Sequence, residues 1–197
     1  ILIGITAVVS LVSLGDGLKE AITGQFASLG TDKLVVQNIG AGFGPPGSTS
    51  VRKLTEKDLR IIEEVNGVEE AIIRLIRIVS VEINKDRDFI YVTSLPDNEK
   101  EIRIIEQSLN LKIENGRLLN GDDRKKILVG SHLSEEHFNG KLKIGKIIKI
   151  QGDDFEVVGI LKKSGNFQLN NVIFVPEEDL KKVLKIDDEI DLIVVQV

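Results

Sequence analysis

The feature that most constrains this chain is its opening stretch, because the run from Ile1 to Leu14 contains no charged residue. As a helix, such a run is about 21 Å long, short of the ~30 Å hydrocarbon core of a bilayer. The run therefore predicts the exit half of a membrane helix. A buried core helix is the main alternative, and a signal peptide fits less well because no basic residue precedes the run. The chain begins with Ile, so we expect it to be part of a longer protein.

An amphipathic segment follows the opening run and is predicted to continue the helix into water as a stalk. Its apolar side chains recur with a period near 3.6 residues, which is typical of a helix with one apolar face. Gly30 stands where this pattern stops and is the expected C-terminal cap. Gly15 and Gly17 are expected to bend the stalk, to let another chain approach closely, or to serve as ordinary small packing positions. The residues proposed for the stalk and for coupling are Gly15, Asp16, Gly17, Leu18, Ile22, Phe26, Leu29 and Gly30.

Composition argues against a nucleic-acid partner and does not determine the cellular compartment. The 197 residues carry a net charge of −5, and acidic and basic side chains alternate along most segments. Only 4% of the residues are aromatic. A nucleic-acid-binding protein would be expected to have a clustered basic stripe, so we predict no nucleic-acid partner. The chain has no cysteine, which excludes a disulfide framework and a thiolate metal site.

The rest of the chain is predicted to be an α+β domain with mixed sheets, because strand and helix patterns are interleaved and hairpin signals are frequent. Thr55 is the expected N-cap of a helix, and Asp58 completes a variant capping box. Gly152 to Asp154 is the expected turn of a hairpin. Strands are predicted at 33–39, 68–83, 89–94, 126–130, 144–151, 155–162, 172–175 and 190–197, and helices at 55–65, after Pro96, at 131–138 and at 176–184.

Three enzyme-like motifs do not fit the chemistry that they resemble. A G-x-G-x-x-G pattern at 42–47 contains two prolines, which remove amides that a bound pyrophosphate would need. The segment 140–146 resembles a phosphate-binding loop, but Ile147 stands where Ser or Thr would bind magnesium. His132 and His137 would point about 140° apart on a helix, so they cannot readily share a metal ion.

Acidic clusters at 122–123 and 187–189 are assigned to solvated turns, because both lie in turn-like contexts. No nucleophile is placed beside a base in the sequence. We therefore predict no catalytic site, no cofactor and no metal.

Four stretches carry motifs that are weak individually and fairly specific in their order and spacing. They are Val12–Leu18 followed by Phe26–Gly30 and Leu34–Gln37; Glu114–Leu119 (E-N-G-R-L-L); Ile127–Gly130 with Leu142, Gly145, Lys146 and the run Ile148–Ile160; and Val172–Pro176. Along essentially its whole length the chain resembles the extracytoplasmic (periplasmic) core domain of MacB-like, FtsX-superfamily ABC transporter permeases. The Asn before the glycine in E-N-G-R departs from the family's E-G-R turn.

The resemblance implies a transporter part and not an enzyme. It implies the end of a first transmembrane helix and a stalk at 1–30, a porter-like βαβ subdomain at 31–116 and 169–197, and an inserted mixed α/β subdomain at 117–168. It further implies a homodimeric permease in the cell membrane, with this domain on the extracytoplasmic side. A separate cytoplasmic ABC ATPase subunit would hydrolyse the ATP.

The function that the resemblance implies is mechanotransmission, in which ATP-driven motion of membrane helices reaches the outer domain through the stalk. That motion would serve export of a substrate or action on an outer partner. A continuous helix from Ile1 to Leu29 would be a lever about 44 Å long. The alternative is a membrane-tethered ligand-binding or scaffold module without a transport role.

Overall fold

The computed structural model describes residues 32–37, 53–84, 86–135 and 142–197. The predicted membrane helix and stalk at 1–30 lie outside these residues, as does the glycine-rich segment at 42–47. Among the helices that the structure does describe, none is both long enough and apolar enough to span a bilayer.

The described residues form ten strands and five helices, which alternate irregularly along the chain. They are β1 (Lys33–Gln37), α1 (Glu56–Glu63), β2 (Glu70–Arg74), β3 (Ile76–Ile83), β4 (Asp86–Leu95), α2 (Glu99–Leu109), β5 (Ile113–Gly116), β6 (Lys126–Val129), α3 (Ser131–Glu135), β7 (Ile147–Ile150), β8 (Asp153–Leu161), α4 (Phe167–Asn170), β9 (Val172–Pro176), α5 (Glu177–Leu184) and β10 (Leu192–Gln196).

These strands form two sheets. The small sheet has the order β1-β10-β2 and is antiparallel throughout. The large sheet has the order β5-β8-β6-β9-β4-β3-β7, and its β4–β9 and β6–β8 pairs are parallel. The prediction of mixed sheets is therefore confirmed, as is the β7–β8 hairpin. β3 and β4 form a second hairpin.

Six strands of the large sheet close on themselves. β7 pairs with β3 on one side and with the first half of β8 on the other, so β8, β6, β9, β4, β3 and β7 form a ring that we call the barrel. β5 pairs with the second half of β8. Because side chains alternate along a strand, one set from every ring strand fills the barrel as a continuous apolar core. This set includes Val79, Val81, Ile90, Val92, Ile127, Val129, Ile148, Ile150, Phe155, Val157, Ile173 and Val175.

The small sheet is packed on both faces. One face meets α1, where Leu59 packs against a cluster that includes the fully buried Ile193. The other face meets α2 and the outer wall of the barrel, where Ile72, Ile105 and Phe174 share a second cluster. Helix α1 begins with the predicted capping box, since the N–H of Thr55 donates to Asp58 Oδ2 at 2.8 Å. The small sheet thus reaches the barrel through an apolar layer.

The predicted strand at 68–83 is two strands, one in each sheet. Between them the N–H of Leu75 donates to Ser94 Oγ, and the carbonyl oxygen of Leu75 accepts from the N–H of Ser94, both at 2.9 Å. Leu75 is fully buried. The buried side chains have even residue numbers before it, as at Ile72, and odd residue numbers after it, as at Val79. The chain therefore passes from the small sheet into the barrel within one residue.

Other differences from the prediction are local. The β7–β8 turn is formed by Gln151 and Gly152, both with positive φ, so β8 begins at Asp153. Strand β5 and helix α4 are short and were not predicted. The barrel takes β3, β4 and β9 from the predicted porter-like part and β6, β7 and β8 from the predicted insertion at 117–168. The division into these two subdomains stays a prediction.

Candidate functional site

The first and last described residues lie side by side at one end of the small sheet. β1 and β10 are antiparallel neighbours with Lys33 opposite Gln196, and the N–H of Val197 donates to the carbonyl oxygen of Asp32 at 2.9 Å. We call these four residues the base. The two ends of the described fold therefore belong to the same three-stranded sheet.

Within this sheet the central strand is buried and the first strand is not. β10 pairs with both β1 and β2, and its Ile193 and Val195 are almost completely buried. In β1, Leu34 and Val35 are each more than half exposed. Strand β10 is thus the element through which the base is joined to the rest of the fold.

A group of charges around one buried carboxylate lies at the opposite end of the small sheet, just before β10 begins. Asp191 is 3% exposed, and its Oδ1 accepts from Lys53 Nζ at 3.3 Å. Its Oδ2 accepts from the N–H of Ile76 at 2.8 Å and contacts Arg77 Nη1. Arg77 Nη2 also donates to Glu189 Oε2 at 2.9 Å. We call Lys53, Arg77, Glu189 and Asp191 the Asp191 cluster.

Burial governs the electrostatics of this cluster. It lowers the pKa of Lys53, and the nearby charge of Arg77 acts in the same direction. Burial also lowers the pKa of Arg77, while the hydrogen bond to Glu189 opposes that shift. The two cations therefore depend on the carboxylates of Asp191 and Glu189 to balance the cost of removing them from water.

Arg74 is another buried cation, placed between the small sheet and the barrel. Its Nη2 donates to Thr93 Oγ1 at 2.7 Å, and its guanidinium carbon lies 6.0 Å from the centre of the Phe174 ring. Burial lowers the pKa of Arg74 to about 10, and the charge of Glu177 opposes this shift. Arg74 links β2 to β4 and faces β9 across the apolar layer.

A second buried carboxylate, Asp123, holds the loop between β5 and β6. Arg117 Nη1 and Nη2 donate to its two oxygens at 2.6 and 2.7 Å. Lys126 Nζ donates to Oδ1 at 2.8 Å, and the N–H of Asn120 donates to Oδ2 at 3.0 Å. The hydrogen bonds from Arg117, with smaller contributions from Lys126 and Asn120, hold the pKa of Asp123 well below its usual range. We call these four residues the Asp123 cluster.

The E-N-G-R motif places Arg117 for this contact. Gly116 has φ of +83°, and a Cβ there would come within 2.2 Å of the carbonyl oxygen of Val158. The facing Gly159 leaves room for the carbonyl oxygen of Arg117, which a Cβ would approach to 2.2 Å. Two facing glycines thus let β5 approach β8 closely, and the N–H of Arg117 donates to Val158 at 3.1 Å.

The residues singled out from the sequence have different outcomes in the structure. The stalk residues from Gly15 to Gly30 lie outside the described residues, so their coupling role stays a prediction. The assignment of the acidic clusters to solvated turns is wrong for Asp123, which is 2% exposed. Glu189 keeps a side chain that is 43% exposed while it pairs with Arg77. Asp191 was not singled out. Its place directly before the apolar run 192–195 was the available signal that it would be buried.

The described part of the chain offers no obvious site for metal chemistry. His132 lies in α3, and no group of three or more His, Asp or Glu side chains within 32–37, 53–84, 86–135 and 142–197 is arranged to hold a metal ion. An open groove of about 520 Å³ beside the base is lined mainly by polar side chains of α2. These residues are Asn98, Glu99, Lys100, Arg103, Ile104, Gln107 and, from β10, Gln196.

Comparison with known families decides the relationship. The family described as MacB-like periplasmic core domain matches residues 1–197, the whole chain. The chain belongs to this family. The resemblance carried by the order of its weak motifs is therefore confirmed, and the close β5–β8 approach gives the E-N-G-R motif of this MacB-like domain a structural role.

Curated relatives of this MacB-like domain are permeases by name. An uncharacterised ABC transporter permease of Methanocaldococcus jannaschii is 32% identical over 174 residues, covering 88% of this chain and 42% of the relative. The macrolide export ATP-binding/permease protein MacB of Neisseria gonorrhoeae is 26% identical over 170 residues, covering 84% of this chain and 25% of the relative. The chain thus spans less than half the length of either relative.

Solved structures share the fold. The periplasmic region of MacB from Actinobacillus actinomycetemcomitans superposes with a TM-score of 0.64 at 17% identity, covering 87% of this chain and 77% of that one. The extracellular domain of the ABC-type transporter YknZ from Gram-positive bacteria gives 0.58 at 19% identity, covering 84% and 82%. At these identities the likeness concerns the mixed α/β fold alone.

Proposed function

We propose that this MacB-like domain is the extracytoplasmic part of an ABC transporter permease and couples motion of membrane helices to export. The base carries the proposal. Because Val197 bonds to Asp32, the two ends of the described fold lie together on one small sheet, which supports coupling through that sheet. A paired entry and exit suits a domain inserted between two consecutive membrane helices.

The sequence supports the remaining parts of this proposal. The uncharged run from Ile1 to Leu14 serves as the end of the first membrane helix, and the amphipathic segment from Gly15 to Gly30 serves as the stalk. The permease forms a homodimer in the cell membrane and uses a separate cytoplasmic ATPase, as the resemblance to MacB-like permeases implies. Both curated relatives carry permease names, which favours the permease role. The name of the Neisseria gonorrhoeae relative joins ATP-binding and permease parts in one protein, which is the alternative to a separate ATPase.

Breaking the stalk tests the coupling. In the full-length permease with its ATPase in lipid nanodiscs, a donor dye on Arg87→Cys would report the distance of the barrel from acceptor-labelled lipid headgroups. Addition of ATP is expected to change the energy transfer. Phe26→Pro should abolish that change and leave ATP hydrolysis in place, because proline interrupts a helix.

Phe26→Leu is the matched control, since it keeps an apolar helix former at the same position, and it should retain the ATP-dependent change. A wild-type protein without any change on ATP addition contradicts mechanotransmission and favours a tethered module. An unchanged response in Phe26→Pro contradicts the stalk as the route.

A further inference from the structure

We propose that the Asp191 cluster is the positioning element that makes the small sheet and the barrel respond to the base as one body. This inference rests on the proposed coupling function and names the residues that carry the coupling beyond the base. The role is one of positioning, because these side chains act through the two sheets.

The first argument is the range of chain that Asp191 brings together. Its contacts with Lys53 and with the N–H of Ile76 span 138 and 115 residues of sequence. Ile190 and Leu54 exchange backbone hydrogen bonds of 2.8 and 3.1 Å beside it. Three distant segments, at 53–54, 74–77 and 189–191, therefore converge on one carboxylate.

The second argument is the position of the cluster between the two sheets. Asp191 immediately precedes β10, the central strand of the small sheet, while Ile76 and Arg77 begin β3 of the barrel. The N–H of Asp191 also donates to the carbonyl oxygen of Arg74, the last residue of β2. A displacement of Val197 at the base is transmitted along β10 to Asp191. The Asp191 side chain then transmits it to the barrel.

The third argument compares the kinds of contact available. The layer between the small sheet and the barrel is largely apolar, and apolar burial is non-directional, so it tolerates sliding of one face over the other. Charge-assisted hydrogen bonds fix both distance and direction. Asp191 supplies such bonds at the junction, with its side chain completely buried. The Arg74–Thr93 bond and the two bonds between Leu75 and Ser94 are further polar links there.

The test measures whether the two sheets hold one relative position. The chain has no cysteine, so spin labels at Val35→Cys on β1 and Arg87→Cys on β4 are unique. Pulsed electron paramagnetic resonance on the 197-residue chain gives the distribution of the distance between them. Asp191→Asn is expected to broaden this distribution about twofold, because Arg77 and the N–H of Ile76 lose their charged acceptor.

Asp123→Asn is the matched control, since it neutralises an equally buried carboxylate whose partners are all local. It should leave the distribution unchanged, although it too lowers stability. If Asp191→Asn does not fold, Lys53→Gln and Glu189→Gln each remove one of the more exposed charges of the same cluster. They should broaden the distribution to a smaller extent.

An unchanged width in the Asp191 cluster variants overturns the inference, as does equal broadening by Asp123→Asn. Neither result bears on the coupling proposal itself, because this measurement uses no ATP, no ATPase and no membrane movement. Loss of the ATP response in Phe26→Pro tests that proposal separately.

Discussion

Asp191 and Asp123 are two buried carboxylates with similar partners and different reach. Each accepts from one arginine, one lysine and one backbone N–H. The side-chain partners of Asp123 lie six and three residues away in sequence, whereas Lys53 lies 138 residues from Asp191. The same chemistry therefore shapes one loop in the first case and joins two sheets in the second.

Exposure of the partners sharpens this contrast. The Arg117 side chain is 45% exposed, so water can solvate it if Asp123 is lost. The Arg77 side chain is only 16% exposed and has less access to water. The sequence separation of the partners and their burial together predict that removal of Asp191 costs more stability than removal of Asp123.

The largest effect is expected for Asp191→Ala. It should lower the free energy of unfolding by about 3–5 kcal/mol, since Arg77, Lys53 and the N–H of Ile76 all lose a buried charged acceptor. Urea unfolding followed by circular dichroism measures the loss. Asp188→Ala, three residues away and exposed, should change stability by no more than about 0.5 kcal/mol. A loss of the same size in both variants would contradict the claim that Asp191 stabilises the fold through its buried contacts.

An intermediate effect is expected for Gly116→Ala. The added Cβ would meet the carbonyl oxygen of Val158, and the positive φ strains any residue other than glycine. We expect a loss of about 2–3 kcal/mol in the same unfolding measurement, with Arg117 displaced from Asp123. Gly152→Ala is the control: it also has positive φ, yet nothing lies within 4 Å of a Cβ there, so it should cost clearly less.

The smallest effect is expected for Asp123→Asn, at about 1–2 kcal/mol near pH 7, because Arg117 becomes solvated. This loss should depend on pH. The pKa of Asp123 is lowered in the folded state, so its carboxylate stabilises the fold above the unfolded pKa near 4 and loses that effect as pH falls further.

Unfolding of the wild type and Asp123→Asn across pH 2 to 7 checks this sign. The two curves should converge towards acid pH. A gap of constant size would show that the variant acts through altered packing and not through the charge of Asp123.

How much of this contrast the sequence could reveal depends on the range of each interaction. The capping box at Thr55, the β7–β8 hairpin and the mixed sheets were predictable, because their signals lie within a few neighbouring residues. The pairing of Asp191 with Lys53 was not, because no local pattern states which segments meet after folding. Asp123 was nearer to prediction, since Arg117 and Lys126 flank it in sequence.

The division of the predicted strand 68–83 at Leu75 could not be predicted, for another physical reason. Both halves of 68–83 have strong strand character, and a strand pattern does not say to which sheet a strand belongs. The exchange of hydrogen bonds with Ser94 makes that change of sheet, and Ser94 lies on a later strand.

The hydrogen bond between Val197 and Asp32 has a consequence for how such a domain is gained or exchanged. Because Asp32 and Val197 are neighbours, the fold between them can be inserted into a surface loop of a host protein without forcing apart the segments that flank the insertion. A host membrane protein needs only the spacing of two adjacent strands, about 4.8 Å, at the point of insertion. The architecture beyond that point is then free to change in size and shape, and a domain from one permease becomes graftable onto another.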